Sequence, residues 1–422
     1  MFFPKETTPI QKVLFIGSSL ASLGMFISFM NSYAVDVLMA DRIDTWSSLF
    51  NNDSLWDGFI KQHGPHRVGL LFIFSKIGYV LGHSFDTRYD LFVNAAVIWA
   101  MIPLGFWVKY RITKTFNWYD LIVPFLICAT WQWTTLILNP HIHVMLPLFT
   151  LMFAALLLSK FRDNLFFNSI LIFAATFSVY AIFAAILFVL FQSIKWMLER
   201  KWIHFITIVL FTIGTLLFYF HDFRWATLNS AGHFSLTQAL KAPILILSNF
   251  LYVSNWLGLF IILGIFILSI SFLKRFNFND SKKVATLFIF SSAISFVFFQ
   301  SIGRSGDDPA AFSAFRYYTE LVLFIWAIAI MASSFRSSKI LSVVIFSGFS
   351  WLLIQPDNPK RGDWIEYTQK MEQLKECVLE TQEFEECNRD FKLLIHVSPN
   401  KSKVVEKWLI LEQRKQAYSR AK

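Results

Sequence analysis

The sequence reads as an all-α protein: a polytopic transmembrane helix bundle of about eleven spans, with interfacial helices in its first outer loop and a small C-terminal periplasmic tail. Three observations point that way. Of 422 residues, 55% are hydrophobic and only 16% charged, with 49 Phe and 15 Trp, too little charge to cover a soluble domain of this size. Apolar runs of about 15 to 25 residues recur along the chain. Short clusters of Lys and Arg separate some of these runs, and turns without Lys or Arg separate others.

The runs lie near 13–33, 90–108, 120–138, 143–159, 165–178, 180–194, 203–220, 244–272, 284–300, 319–335 and 340–354. Val13 to Met30 is long enough to span and lacks a small-residue cleavage site, so it reads as a span and not as a cleaved leader. Lys109, Arg111 and Lys114 follow one run, and Lys160 and Arg162 another. Then come Lys195, Arg200 and Lys201; Lys274, Arg275, Lys282 and Lys283; and Arg336 with Lys339. The turns NPHIH at 139–143 and SVYA at 178–181 carry no basic residue other than histidine. The apolar stretch 165–195 is too long for one span, and splitting it at Ser178–Tyr180 keeps the alternation in phase.

Residues 67–82 decide the parity. Val68 to Leu81 is apolar, yet His63, His66 and Arg67 precede it and Lys76 lies inside it. If this segment rests on the surface and the N-terminus is cytoplasmic, every basic loop falls inside and both charge-free turns fall outside, as the positive-inside bias requires. If it crossed, all later loops would invert. It therefore reads as an amphipathic interfacial helix with Lys76 snorkelling. The outer face then carries loops at 34–89, 221–243 and 300–318, and the chain divides into a membrane module, 1–354, and a tail, 355–422. The tail has helical periodicity around WIEYTQKMEQLKECVLE and holds Cys377 and Cys387. In one straight helix those residues would stand about 15 Å apart. A disulfide therefore needs a turn near Thr381–Glu386, and bridged and free thiols both remain open.

The net charge of +10 does not call for nucleic acid, because most basic residues flank apolar runs and no basic helix or aromatic platform accompanies them. A nucleotide-bound donor is not expected either, since no soluble nucleotide-binding domain or large cytoplasmic loop is present.

The first outer loop is the richest in chemistry. It places Asp36, Asp41, Asp44, Asp53 and Asp57 after the first span, interleaved with Trp46 and Trp56 and followed by His63, His66 and Arg67. Carboxylates facing a basic cluster at a membrane surface suit an enzyme that deprotonates a sugar hydroxyl while a phosphate leaves. The ordinary alternative is a solvated acidic loop. Asp44 is the first choice for general base, with Asp41 and Asp36 behind it; Asp36, closest to the span, is equally suited to capping or orienting the loop. Arg304 and Arg316 flank Asp307 and Asp308, and Arg316–Tyr317 opens a span, where an arginine is costly without a partner. A lipid phosphate or Glu320 meets that need. His141 and His143 have the spacing of a metal pair but no third ligand in the sequence. No cofactor or metal is required, and a divalent cation is compatible with the site. Trp46, Trp56 and Trp225 offer faces for a pyranose, although tryptophan is also the ordinary interface anchor.

The layout over roughly residues 10–355 resembles the GT-C class of membrane glycosyltransferases, in which a first outer loop bears the catalytic acid and an interfacial helix follows. Asp44-Thr45-Trp46 looks like the acidic-plus-aromatic element of that loop in bacterial members. His66-Arg67 looks like the end of a Glu-His-Arg element, with Pro65 replacing the Glu, and Gly303-Arg304 with Arg316-Tyr317 looks like a late-loop arginine element. In topology alone the chain also resembles glucosyltransferases that decorate O-antigen. The resemblance implies a bacterial inner-membrane hexosyl- or pentosyltransferase, with its N-terminus cytoplasmic and its C-terminus periplasmic. A polyprenyl-phosphate-linked sugar would be the donor and a glycan or lipid-linked acceptor, such as the O-antigen of lipopolysaccharide, would receive it. Asp44, Asp41 and Asp36 would be catalytic; His66, Arg67, Arg304, Arg316, Tyr317 and Trp46 would bind substrate. Membrane lipid, a donor synthase and a flippase would be partners. Two rivals share the membrane context: an O-antigen-type polymerase, for which a dominant arginine-rich loop is expected, and a lipid-linked sugar flippase or transporter, for which charge at mid-bilayer and internal repeats are expected.

Overall fold

A computed structural model describes residues 7–37, 42, 46, 48–49, 54–63, 66–67, 69–81, 86–114, 116–128, 145–178, 181–223, 235–251, 254–303, 330, 346–348, 350–351, 363–381, 383, 386–387, 389, 408–410, 412–413 and 416. These residues are helical almost throughout. Their one ladder is a pair of two-residue strands, β1 (Gln62–His63) and β2 (His66–Arg67), antiparallel with Gln62 opposite Arg67. The sequence reading contained no strand there.

Helix α1 (Pro9–Tyr33) begins where local chemistry says it should. Thr8 caps it by accepting from the Gln11 amide, Pro9 opens its first turn, and the Gln11 side-chain oxygen accepts from the Thr8 amide, so otherwise orphaned amides are satisfied. After α2 (Leu55–Ile60) and the ladder comes α3 (Gly69–Leu81), whose 13 residues cover about 20 Å. It packs along α4 (Arg88–Thr113), a helix of about 39 Å. Gly78 permits the approach: a Cβ there would lie 2.5 Å from the backbone of Asp90.

A 3₁₀ turn, Trp118–Leu121, and α5 (Val123–Ile127) follow. The run at 120–138 thus opens as a turn and a short helix. The rest of that run, with His141 and His143, lies outside the described residues. Helix α6 (Met145–Leu157) is the centre of the bundle, in contact with α4, α7 (Ser159–Arg162), α8 (Leu165–Thr176), α9 (Ala181–Leu198) and α13 (Ser281–Gly303). Met152, Phe153, Ala155 and Leu156 have no exposed surface. The expected split of 165–195 is present: α8 ends at Thr176, Phe177 and Ser178 leave the helix, and α9 starts at Ala181. At the periphery, α10 (Trp202–Phe220) and α12 (Asn255–Leu273) turn Ile203, Leu210, Leu217, Trp256, Phe260 and Ile267 outward. Apolar faces of that extent suit lipid, not water.

The run at 244–272, read above as a single span, is corrected by the structure. It is divided between α11 (Leu236–Leu251) and α12, which pack on each other. Ser254 accepts a hydrogen bond from the amide of Leu257 and so starts a new helix inside a continuous apolar run. Among the described residues six helices are long and apolar enough to cross a membrane: α1, α4, α9, α10, α12 and α13. Runs 319–335 and 340–354, apart from Ile330, 346–348 and 350–351, lie outside those residues.

Among the described residues the basic clusters gather at one end of the bundle. Arg162 reaches the hydroxyl of Ser281 at 3.2 Å, and Lys195 reaches the carbonyls of Phe278 and Asn279 at 3.4 Å. Lys109 pairs with Asp120 at 2.5 Å, both fully buried. The first loop and the tail meet at the other end of α4. Tail helix α14 (Asp363–Thr381) buries Met371, Leu374 and Val378, and Lys375 donates to the backbone carbonyl of Asp36 at 2.9 Å. Cys377, in α14, and Cys387, beyond its end at Thr381, stand at a Cα separation of 5.9 Å and form a disulfide.

Candidate functional site

The candidate site is built where the chain leaves α1 and enters α4. Tyr33 ends α1, and Asp36 follows in the loop. Thr87, the cap residue of α4, fixes it: the Thr87 amide and hydroxyl donate to Oδ1 of Asp36 at 2.8 and 2.9 Å. A carboxylate that accepts from the start of a helix also answers the positive end of its dipole.

Asp90, in the first turn of α4, is the second anchor. Arg42 donates to it from Nη2 at 2.8 Å and from Nε at 3.3 Å, and Trp46 donates from its indole at 3.0 Å. Arg42 also donates to the carbonyls of Val37, at 3.2 Å, and Thr87. The side chains of Arg42 and Asp90 are 1% and 0% exposed, so each charge depends on the other. Trp46 is fully buried and meets Tyr79 of α3 edge-on at 5.8 Å. In this arrangement it presents no face to a sugar. Trp56 is the contrasting case: half exposed, it stacks on Phe218 at 5.4 Å.

Arg67 lies just before the start of α3. Its guanidinium donates to the carbonyls of Tyr219 at 2.7 Å, His221 at 2.6 Å and Ile60. These include carbonyls at the end of α10, which has no later turn to receive them. Burial lowers the Arg67 pKa, with Tyr219 and Asp222 opposing that shift. Arginine nonetheless stays charged at any ordinary pH. The backbone of His66 pairs with His63 in the ladder.

Asp41, Asp44, Arg304, Arg316 and Tyr317 lie outside the described residues, as do Asp53, Arg224 and Trp225. Of the residues singled out in the sequence, Asp36 and Trp46 come together at the start of α4. Arg67 is held separately, against the end of α10, and each of the three is engaged by protein. Among the described residues no three His, Cys, Asp or Glu side chains converge as they would on a metal. Sequence reasoning missed Asp90, Arg42, Thr87 and Tyr219. Asp90 carried a signal, an acid at the very start of an apolar run, where burial demands a cation.

No family model matches this chain. Comparison with characterised proteins and with solved structures likewise finds no match.

Proposed function

We propose that this protein is an inner-membrane glycosyltransferase that moves a sugar from a polyprenyl-phosphate donor to a glycan or lipid-linked acceptor on the periplasmic side. The reading includes about eleven spans, a cytoplasmic N-terminus and an outer C-terminal tail. One observation carries it. Arg42 and Trp46, which bracket Asp44 in sequence, both end on buried Asp90, while Asp36 is held by Thr87. The acid-rich loop is thus tethered at two points to the start of α4, at the end away from the basic clusters. A general base needs such tethering, because small displacements of a reacting group cost large factors in rate.

In the proposed reaction Asp44 takes the proton of an acceptor hydroxyl as that oxygen attacks the anomeric carbon. The bond from that carbon to the phosphate oxygen breaks, and the electron pair leaves with the lipid phosphate. Arg304, Arg316 and His66 offset its charge, with Tyr317 beside them. Direct attack inverts the anomeric configuration. Asp36, Arg42, Trp46, Asp90 and Arg67 position the loop.

The test is Asp44→Asn in cells, read by mass spectrometry of the surface glycan and by transfer in isolated membranes. Turnover should fall by about a hundredfold or more, as general-base removal does. Asp41→Asn, made in parallel, separates the two acids. A folded Asp44→Asn protein with full transfer activity would sink the assignment.

A further inference from the structure

The basic end of the bundle contains two kinds of cation. Arg162, Lys195 and Lys201 are neutralised within the protein by Asp163 and Glu199, at 2.9 to 3.5 Å. Arg111 and Lys282 are not: among the described residues no carboxylate pairs with either side chain. Arg111 lies over the ring of Trp107 at 5.2 Å, and Lys282 is engaged through its backbone, its amide donating to Asp280 at 3.0 Å and its carbonyl accepting from the Thr286 hydroxyl at 2.8 Å.

Those two cations line one cavity of about 550 Å³, between the last turn of α4, the end of α6 and the connection from α12 to α13. Leu157 and Leu158 line the same cavity, and Ser281 adds a hydroxyl held by Arg162. Asp280 lines it too, but its Oδ1 is turned to the amides of Lys282 and Lys283. The start of α13 is therefore already capped and is not what recruits an anion. With one carboxylate against two cations, the cavity keeps a positive balance beside an apolar wall, at the end of helices long enough to cross a bilayer.

We propose that this cavity binds a phosphate ester through Arg111 and Lys282, supplied by an anionic phospholipid whose chain lies against Leu157 and Leu158. Two donors of fixed positive charge match a phosphate better than any neutral headgroup. Basic pockets between membrane helices favour anionic lipids for the same reason. The site lies at the opposite end of α4 from the first loop and does not depend on the transferase reading.

The experiment is native mass spectrometry of the full chain in neutral detergent, with phosphatidylglycerol, phosphatidylcholine or inorganic phosphate added. Phosphatidylglycerol should be retained over phosphatidylcholine. The double variant Arg111→Gln/Lys282→Gln should weaken that retention by about thirtyfold, while Lys160→Gln/Lys274→Gln, at the same end but outside the cavity, should not. A melting curve without lipid checks that both variants are folded. Retention of inorganic phosphate alone, lost in the same variant, would keep the phosphate site and assign it a soluble source. Equal losses in both double variants, or no preference for either anion, would overturn the proposal.

Discussion

Arg67 shows how a single side chain changes its meaning once its neighbours are known. In the sequence it is one cation of a His-Arg cluster, suited to a phosphate. In the structure its donors serve three carbonyls, two of them 152 and 154 residues away. Removing it leaves acceptors without donors in a partly buried place, each costing about 1 to 3 kcal/mol. Arg67→Met should therefore destabilise the protein by about 3 kcal/mol, seen as a lower Tm in detergent. An unchanged Tm with lost transfer activity would return Arg67 to the role of phosphate ligand. Trp46 follows the same logic, since its indole is committed to Asp90.

Helices and turns end where local chemistry and long-range pairing agree. Asp163, in the turn between α7 and α8, is the clearest case at the basic end. Burial works to raise its pKa, but hydrogen bonds from Lys201, Arg162 and Trp196 outweigh it and hold the carboxyl at about 2. A carboxylate depressed below its unfolded value of about 3.9 contributes stability above that value and loses it as pH falls through the folded one. Melting measured from pH 5 to pH 2 should show that loss, and Asp163→Asn should flatten it while lowering Tm at neutral pH. An unchanged acid profile in Asp163→Asn would show that the turn does not depend on the charge. The division of 244–272 into α11 and α12 has a similarly local origin. Among the described residues the capping bond from the Leu257 amide to Ser254 marks where α12 begins.

Sidedness is a property of the entire chain, and it gives the decisive prediction. Single cysteines at Ser84, at Thr115 beside Lys114 and at Ser398, treated with an impermeant reagent on intact cells, should label at 84 and 398 but not at 115. Labelling at 115 would mean that 67–82 crosses the membrane, and the proposed active site would be wrong. The helical bundle, the break in 165–195 and the helix in the tail were legible because runs and periodicity are local properties of the chain. The candidate site was less so: Asp36 was read as base or cap, and its partner Thr87 lies 51 residues away.

The class of this protein follows from the chain alone, because hydrophobicity and basic flanking charge add up residue by residue and need no partner. The chain also indicates which loops share an end, and the contacts of Arg162 and Lys195 with the 274–283 connection join three of them there. Which polar groups are already committed emerges only from the packed molecule: Asp36 to Thr87, Trp46 and Arg42 to Asp90, Arg67 to the end of α10. In a poorly solvated interior a charge or a donor takes the partner that comes within about 3 Å. Which residue that is depends on how distant segments pack.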